Sequence, residues 1–134
     1  MVALMRTADL ARRRITTVIE PHGLTPQQFN VLRILRGAGP DGLPTLEVAN
    51  RMIEQAPGIT RLLDRLEAKE LIKRHRCPKD RRQHLCWIAP KGLALLQKLD
   101  APIARWHEDT LKGLRATDRA TFVRLLDAIR AAHE

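Results

Sequence analysis

The sequence predicts a mainly α single domain with one small β-hairpin, and three observations carry that expectation. Apolar residues recur at helical spacing through most of the 134 residues. Two short runs of strand character, "LIKRHRC" and "HLCWI", flank one basic loop. The breaks between elements are short and rich in Gly and Pro. At this length, with 44% hydrophobic residues, the chain buries one real core and not two.

From Leu4, the positions Ala8, Ala11, Ile15 and Val18 step by four and three, a narrow apolar seam on a helix that ends before Pro21 and Gly23. A second helix opens on Thr25 as N-cap, with Pro26 at its first position and Gln28 completing a capping box. Leu24 and Phe29 make the hydrophobic staple, and the helix runs to Gly37. The stretch "GAGPDGLP" reads as a turn-rich loop, after which Thr45 is placed to cap a short helix carrying Leu46, Val48, Ala49 and Met52.

Another helix starts near Pro57. Its apolar positions Ile59, Leu62, Leu63 and Leu66 follow the i, i+3, i+4, i+7 pattern, so Arg61, Asp64 and Ala68 face away, flanked by Thr60 and Arg65. The two strand-like runs then pair as a hairpin. From Pro90 a long helix carries Leu96, Leu99, Ile103 and Trp106 at heptad-like spacing, and Pro102 removes a backbone donor inside it, which predicts a kink. Thr117 is placed to cap a last helix with the stripe Phe122, Leu125, Leu126 and Ile129.

Charge narrows the partner. The pI near 10.7 favours a polyanion. Between Leu71 and His84, the basic residues Lys73, Arg74, Arg76, Lys79, Arg81 and Arg82 face Asp80 alone, a surplus of five in a chain of formal net charge +9. Charges packed so closely repel, so they are either simply solvated or offset by an anionic partner. A membrane partner lacks its usual support, because the chain has no Lys-rich amphipathic helix with exposed Trp or Phe. No stretch approaches the ~20 apolar residues of a membrane span, and "MVALMRTADLARRR" lacks the apolar core of a signal peptide. The expected compartment is the cytoplasm, with no membrane contact.

Two helices joined by a tight turn, the second exposing Thr and Arg and leading into a basic hairpin, match the requirements for reading duplex DNA. A helix fits the major groove, and a slim Arg-tipped loop enters the narrower minor groove beside it. The fold class is therefore a winged helix-turn-helix, with the hairpin as wing. Thr60, Arg61 and Arg65 are expected at the major groove, and Pro57 and Gly58 let the helix N-terminus approach a phosphate. Of the wing residues Lys79, Asp80, Arg81 and Arg82, Arg82 or its neighbour Arg81 is expected in the minor groove, while Asp80 orients the loop by accepting bonds from Arg or backbone donors.

The same residues resemble the MarR family of bacterial transcriptional regulators, and the resemblance covers nearly the whole chain. It runs from "LTPQQFNVL" through "VANRM" and "ITRLLDRLEAKELIKR" to "PKDRRQH" and the closing "KG", and is most specific from "TRLLDRLE" to Asp80, Arg81 and Arg82. Two positions depart from the family pattern. Glu70 stands where the family usually has Gly after the recognition helix, which predicts a different helix end. "IAPKG" replaces Leu-Thr-x-x-Gly, putting Pro90 where a helix can start but removing a Thr cap at Ala89.

The resemblance implies a homodimer whose first and last helices intertwine, with two winged lobes reading a pseudo-palindromic operator in double-stranded DNA. In that reading residues 1–134 form one MarR-type domain. Dimerisation helices span about 1–22 and 103–134, the winged lobe about 24–92, and a long connecting helix about 90–114. The dimer seam is Leu4, Ala8, Ala11, Ile15 and Val18 on the first helix and Phe122, Leu126 and Ile129 on the last. The implied function is a sequence-specific regulator, most often a repressor in such families, relieved in some by a small-molecule effector. The rival reading is a winged-helix adaptor that contacts protein without binding an operator.

No cofactor or metal is expected. His75, Cys77, His84 and Cys86 form two pairs spaced two apart, and an antiparallel register that gathered all four would suggest zinc. Against this, Cys86 shares the parity of Ile88 and reads as a small core residue, and a wing is a poor metal cage. A disulfide between Cys77 and Cys86 does not suit a reducing cytoplasm. Relatives that sense peroxide use a Cys in the first helix, and this chain has none there. His22, Trp106 and His107 read as a loop residue, a seam anchor and a helix surface residue, with an effector pocket as the alternative. No Ser/His/Asp or paired-carboxylate arrangement suggests an enzyme.

Overall fold

A computed structural model describes residues 1–54, 57–77 and 83–133. Helix α1 (Val2–Ile19) leads through a 3-10 turn (Glu20–His22) into α2 (Pro26–Ala38). The expected capping box is present: the Gln28 backbone N–H donates to Thr25 Oγ1 at 3.2 Å, and Gln28 Oε1 accepts from the Thr25 N–H at 3.2 Å. Leu24 and Phe29, the staple, are both buried. A local signal written in five residues therefore fixes how the chain enters the lobe.

The loop after α2 has more structure than its turn-rich sequence suggests. It forms a second 3-10 turn (Gly39–Asp41) and a two-residue strand, β1 (Leu43–Pro44). Helices α3 (Thr45–Asn50) and α4 (Ile59–Ala68) make the helix-turn-helix. Strands β2 (Ile72–Arg76) and β3 (His84–Ile88) form the hairpin, and the antiparallel sheet has the order β1-β3-β2. Helix α5 (Pro90–Leu111) continues through Pro102, and α6 (Ala116–Ala131) follows.

Two expected caps are corrected. Thr45 is the first residue of α3, with Pro44 at the cap position and no side-chain cap. The Thr45 hydroxyl instead donates across to the His84 carbonyl at 3.4 Å, with Cys86 Sγ 3.7 Å away. Thr117 lies inside α6, whose cap position is Arg115. There the first turn is tied by Arg115 Nε donating to Asp118 Oδ2 at 2.9 Å. Thr45 thus finds a partner across the sheet in place of the free N–H groups that a cap serves.

The end of α4 also differs from expectation. Glu70 stands in the usual glycine position and keeps the glycine conformation, with φ 61°. The Glu70 N–H donates to the Glu67 carbonyl at 2.8 Å and the Leu71 N–H to the Leu66 carbonyl at 3.0 Å, which is the Schellman pattern. Leu66 and Leu71 are both buried, supplying the hydrophobic contact that accompanies it. The helix thus ends as a glycine would end it, and the packing of Leu71 holds the left-handed residue in place.

The core runs through the winged lobe and into α1 and α5. Ile19, Val31, Leu32, Leu35, Val48, Leu63, Leu66 and Cys86 are fully buried, joined by Leu96, Leu99 and Ile103 from α5. Gly92 lets α5 start against this core: a Cβ there would lie 2.3 Å from the Leu71 carbonyl oxygen. That carbonyl accepts the Ala89 N–H at 2.9 Å, so Gly92 and the end of α4 are locked together. Helix α6 differs from the rest, for it buries none of its residues.

Replacing Glu70 with Gly removes the left-handed strain at the loss of an exposed pair, Glu70 with Lys91 at 3.1 Å. A surface pair contributes a few tenths of a kcal/mol, whereas a non-glycine residue at this φ costs about 1 kcal/mol. Glu70→Gly should raise stability by roughly 0.5–1 kcal/mol in urea denaturation. A loss of stability would show that the Glu70 side chain matters more than its backbone.

Candidate nucleic-acid interface

Helix α4 divides cleanly. Leu63 and Leu66 are buried and Ile59 and Leu62 half-buried, which leaves Thr60, Arg61, Asp64, Arg65 and Ala68 exposed on the opposite face. Pro57 and Gly58 lie exposed in the turn before the helix, with Gly58 at its cap position. The expected residues Pro57, Gly58, Thr60, Arg61 and Arg65 therefore come together on one solvent-facing surface. Lys79, Asp80, Arg81 and Arg82 lie outside the described residues.

One member of the basic hairpin behaves unlike the others. Arg74 points back from β2 to the helix, where Nη2 donates to Asp64 Oδ1 at 2.5 Å and to Glu67 Oε2 at 2.6 Å. Nε donates to the same Glu67 oxygen at 3.0 Å. The Arg74 side chain is only 18% exposed. Desolvation acts to lower its pKa, but hydrogen bonds and attraction from Glu67 and Asp64 outweigh it and hold the guanidinium above its ordinary value. Arg74 thus clamps the wing to α4, and it neutralises two carboxylates that would otherwise sit beside an incoming anion.

In the sequence alone Arg74 reads only as wing charge. Its signal was parity: Arg74 lies two residues after the buried Ile72, on the strand face turned inward, where an arginine needs a partner. Beside this clamp an open cleft of about 980 Å³ lies between α3, the start of α4 and the base of the hairpin, lined by Thr45, Asn50, Thr60, Gln83 and His84 among others.

The hairpin register separates the four metal-like residues. Arg74 pairs with Cys86 and Arg76 with His84, while His75 pairs with Leu85. Paired residues share a face, so His84 and Cys86 lie on one side of the sheet and His75 on the other. The arrangement that would have gathered a zinc site is overturned by register. Cys86 is a core residue: burial raises its thiol pKa, with the hydrogen bond to Thr45 and the charge of Arg74 acting against the shift.

A second cavity, of about 470 Å³, lies where α1 and α5 meet the lobe. Trp106 and His107 line it, with their rings 4.7 Å apart, whereas His22 is exposed in the 3-10 turn and does not. The Trp106 indole Nε1 is buried without a partner among the described residues.

Comparison with known proteins accounts for this arrangement. The sequence model described as "MarR family" matches residues 24–84, the lobe from the end of the first turn to the wing. The crystal structure of a MarR transcription factor from Planctomyces limnophilus is 36% identical, with a TM-score of 0.74, and the match covers 95% of this chain and 92% of that one. The chain belongs to the MarR family. That is a family of transcriptional regulators and not of enzymes.

Other MarR relatives are informative. The HTH-type transcriptional regulator MhqR of Bacillus subtilis is 36% identical over 81 residues, 60% of this chain but only 54% of that protein's length. A mutant MarR from E. coli, solved in complex with operator DNA, is 25% identical with a TM-score of 0.86, covering 95% of this chain and 90% of that one. The Bordetella bronchiseptica regulator BpsR, whose DNA binding is regulated by 6-hydroxynicotinic acid, is 28% identical with a TM-score of 0.84 and 96% coverage of both chains.

Removing the Arg74 charge while keeping its stem leaves Asp64 and Glu67 facing each other without a cation. Arg74→Met should lower stability by about 1–2 kcal/mol, and Arg74→Lys should recover only part, because one ammonium does not reproduce the fork that serves two carboxylates. Unchanged urea midpoints in both variants would contradict the clamp.

Proposed function

We propose that this MarR-family chain is a homodimeric, sequence-specific double-stranded-DNA-binding regulator that acts in the cytoplasm as a repressor. The observation that carries the reading is the exposed face of α4. Thr60, Arg61 and Arg65 project beside a hairpin held to the same helix by Arg74. Thr60, Arg61 and Arg65 are suited to the major groove, and Pro57 and Gly58 let the helix N-terminus approach a phosphate. The basic loop carrying Lys79, Asp80, Arg81 and Arg82 is assigned to the adjacent minor groove, with Arg82 or Arg81 inserted.

The dimer rests on what the monomer leaves uncovered. Leu4 is 36% exposed, Phe122 37% and Ile129 48%, and Met5, Val123 and Leu125 are exposed beside them. Ile15 and Val18 of the expected seam are half-buried against the monomer's own core, so the uncovered apolar faces are Leu4, Met5 and Ala8 on α1 and Phe122, Val123, Leu125 and Ile129 on α6, with half-buried Ala11 and Leu126 beside them. At ~25 cal/mol per Å², an obligate interface of roughly 2,000 Å² supplies enough free energy to exceed the cost of association. Helices 1–22 and 103–134 would then hold two lobes in two-fold symmetry. Among the described residues no helix is long and apolar enough to cross a membrane.

The cavity at Trp106 and His107 is assigned to a small-molecule effector. Its walls come from both the α1–α5 pair and the lobe, so an occupant would bear on their relative position. The unpartnered indole N–H of Trp106 offers a donor to such a ligand.

Titration of one duplex and its single-base-pair variants by three proteins tests the reading. Wild-type affinity should fall with salt at a slope of roughly −0.9 per neutralised phosphate. Arg61→Ala should cost about 1–3 kcal/mol at one or two base positions and leave the others unchanged. Leu126→Asp should sediment as monomer or aggregate and lose binding, although it is far from the wing in sequence. A salt slope of zero would favour a protein-contacting adaptor, and a Leu126→Asp protein that stays dimeric would overturn the assembly.

A further inference from the structure

Two elements that enter adjacent grooves of a duplex have between them the strand of phosphates that divides those grooves. In this chain the space between α4 and the hairpin is the open cleft of about 980 Å³. Thr60 on the first turn of α4 forms one wall, Thr45 and Asn50 of α3 a second, and Gln83 and His84, where the hairpin loop enters β3, a third.

Charge in the cleft suits a phosphate strand. Two carboxylates stand among its described lining residues, and each has its own cation. Glu47 of α3 accepts from Arg51 Nε at 2.6 Å, and Glu67 of α4 accepts from Arg74 Nη2 at 2.6 Å. Thr45, Asn50, Thr60, Gln83 and His84 add side chains able to donate hydrogen bonds, and of these five only His84 can also gain a charge near neutral pH.

The strand register places His84 beside a cation. The Cys77 N–H donates to the Gln83 carbonyl at 2.8 Å, so those two form a hydrogen-bonded pair. The next pair, Arg76 with His84, is then of the alternate kind, in which the side chains stand closest. Both side chains are exposed. The His84 carbonyl, turned away from β2, accepts the Thr45 hydroxyl at 3.4 Å, and this bond ties the residue's backbone to α3. In the free protein a proton on His84 adds charge next to Arg76. An anion held by both offsets that repulsion, so anion and proton bind together.

We propose that His84 is a proton-linked phosphate contact: its imidazolium and Arg76 hold one backbone phosphate of the strand lying in the cleft, and the protein takes up a proton at His84 of each subunit as it binds DNA. This rests on the reading of the chain as a DNA-binding regulator. No covalent step is involved. Protonation strengthens the contact, so its contribution is present at low pH and is lost as pH rises through the range in which histidine titrates.

The test uses the full chain and a duplex recovered from random DNA by its binding to wild type. Wild type should bind about three- to tenfold more tightly at pH 6 than at pH 8, with a salt slope steeper at pH 6 by about one to two for the two subunits. His84→Gln should match wild type at pH 8 within about twofold and gain little at pH 6. His84→Lys, charged at both pH values, should bind about equally at both and more tightly than wild type at pH 8. Neither substitution removes the carbonyl that accepts from Thr45, and circular dichroism checks that both variants fold. A gain at pH 6 that persists in His84→Gln assigns the proton to another group and overturns the proposal, as does wild-type binding that ignores pH. Failure to recover any bound duplex overturns the DNA reading and the proposal with it.

Discussion

The arrangement of the proposed interface depends on one guanidinium. A hairpin of five-residue strands with a strongly basic loop has little reason to hold a fixed angle to the helix before it, since its own charges repel. Arg74 supplies the constraint. Set on the inward face of β2, it reaches Asp64 and Glu67 one turn apart on α4 and fixes strand to helix at two points. The proposed reading of two grooves needs α4 and the hairpin held together, and the clamp fixes β2 against α4. The same contact withdraws two negative charges from the helix face that carries Arg61 and Arg65.

What supports the clamp from behind is packing. Leu63 and Leu66 bury the other side of α4 against Val31, Leu32, Leu35 and Val48, and the left-handed turn at Glu70 sends the chain straight into β2. The Lys69 ammonium at the end of α4 donates to the Gly23 carbonyl at 2.7 Å and to Gln28 Oε1 at 3.3 Å. The C-terminal end of α4 is thus tied to the capping box of α2, and the turn after α3 is tied to Asn30 of α2 and Arg12 of α1.

Features set by near neighbours in sequence were legible beforehand. The Thr25–Gln28 box, the Leu24–Phe29 staple and the apolar stripe of α4 follow from residues within a few positions of one another, and the pairing of β2 with β3 from two strand-like runs joined by one short loop. The exposed face of Thr60, Arg61 and Arg65 followed from the same periodicity. What escaped the sequence depends on contacts across the chain. Thr45 prefers a carbonyl of β3 to a cap, Leu43 and Pro44 become a strand only because β3 lies beside them, and Arg74 finds carboxylates seven and ten residues away. Glu70 escaped for another reason: propensity favours Gly at that φ, but burial of Leu71 overrides it.

The central claim is that two copies of this chain present two α4 helices to one duplex. Recovery of bound sites from a pool of random duplex DNA tests it most directly, because the form of the recovered sequence reports both recognition and symmetry. The expected product is an inverted repeat whose half-site centres lie about one helical turn apart, roughly 10–10.5 base pairs or a near multiple. Enrichment of a single undivided half-site would contradict the dimer, and a pool that emerges unenriched would contradict sequence-specific binding itself.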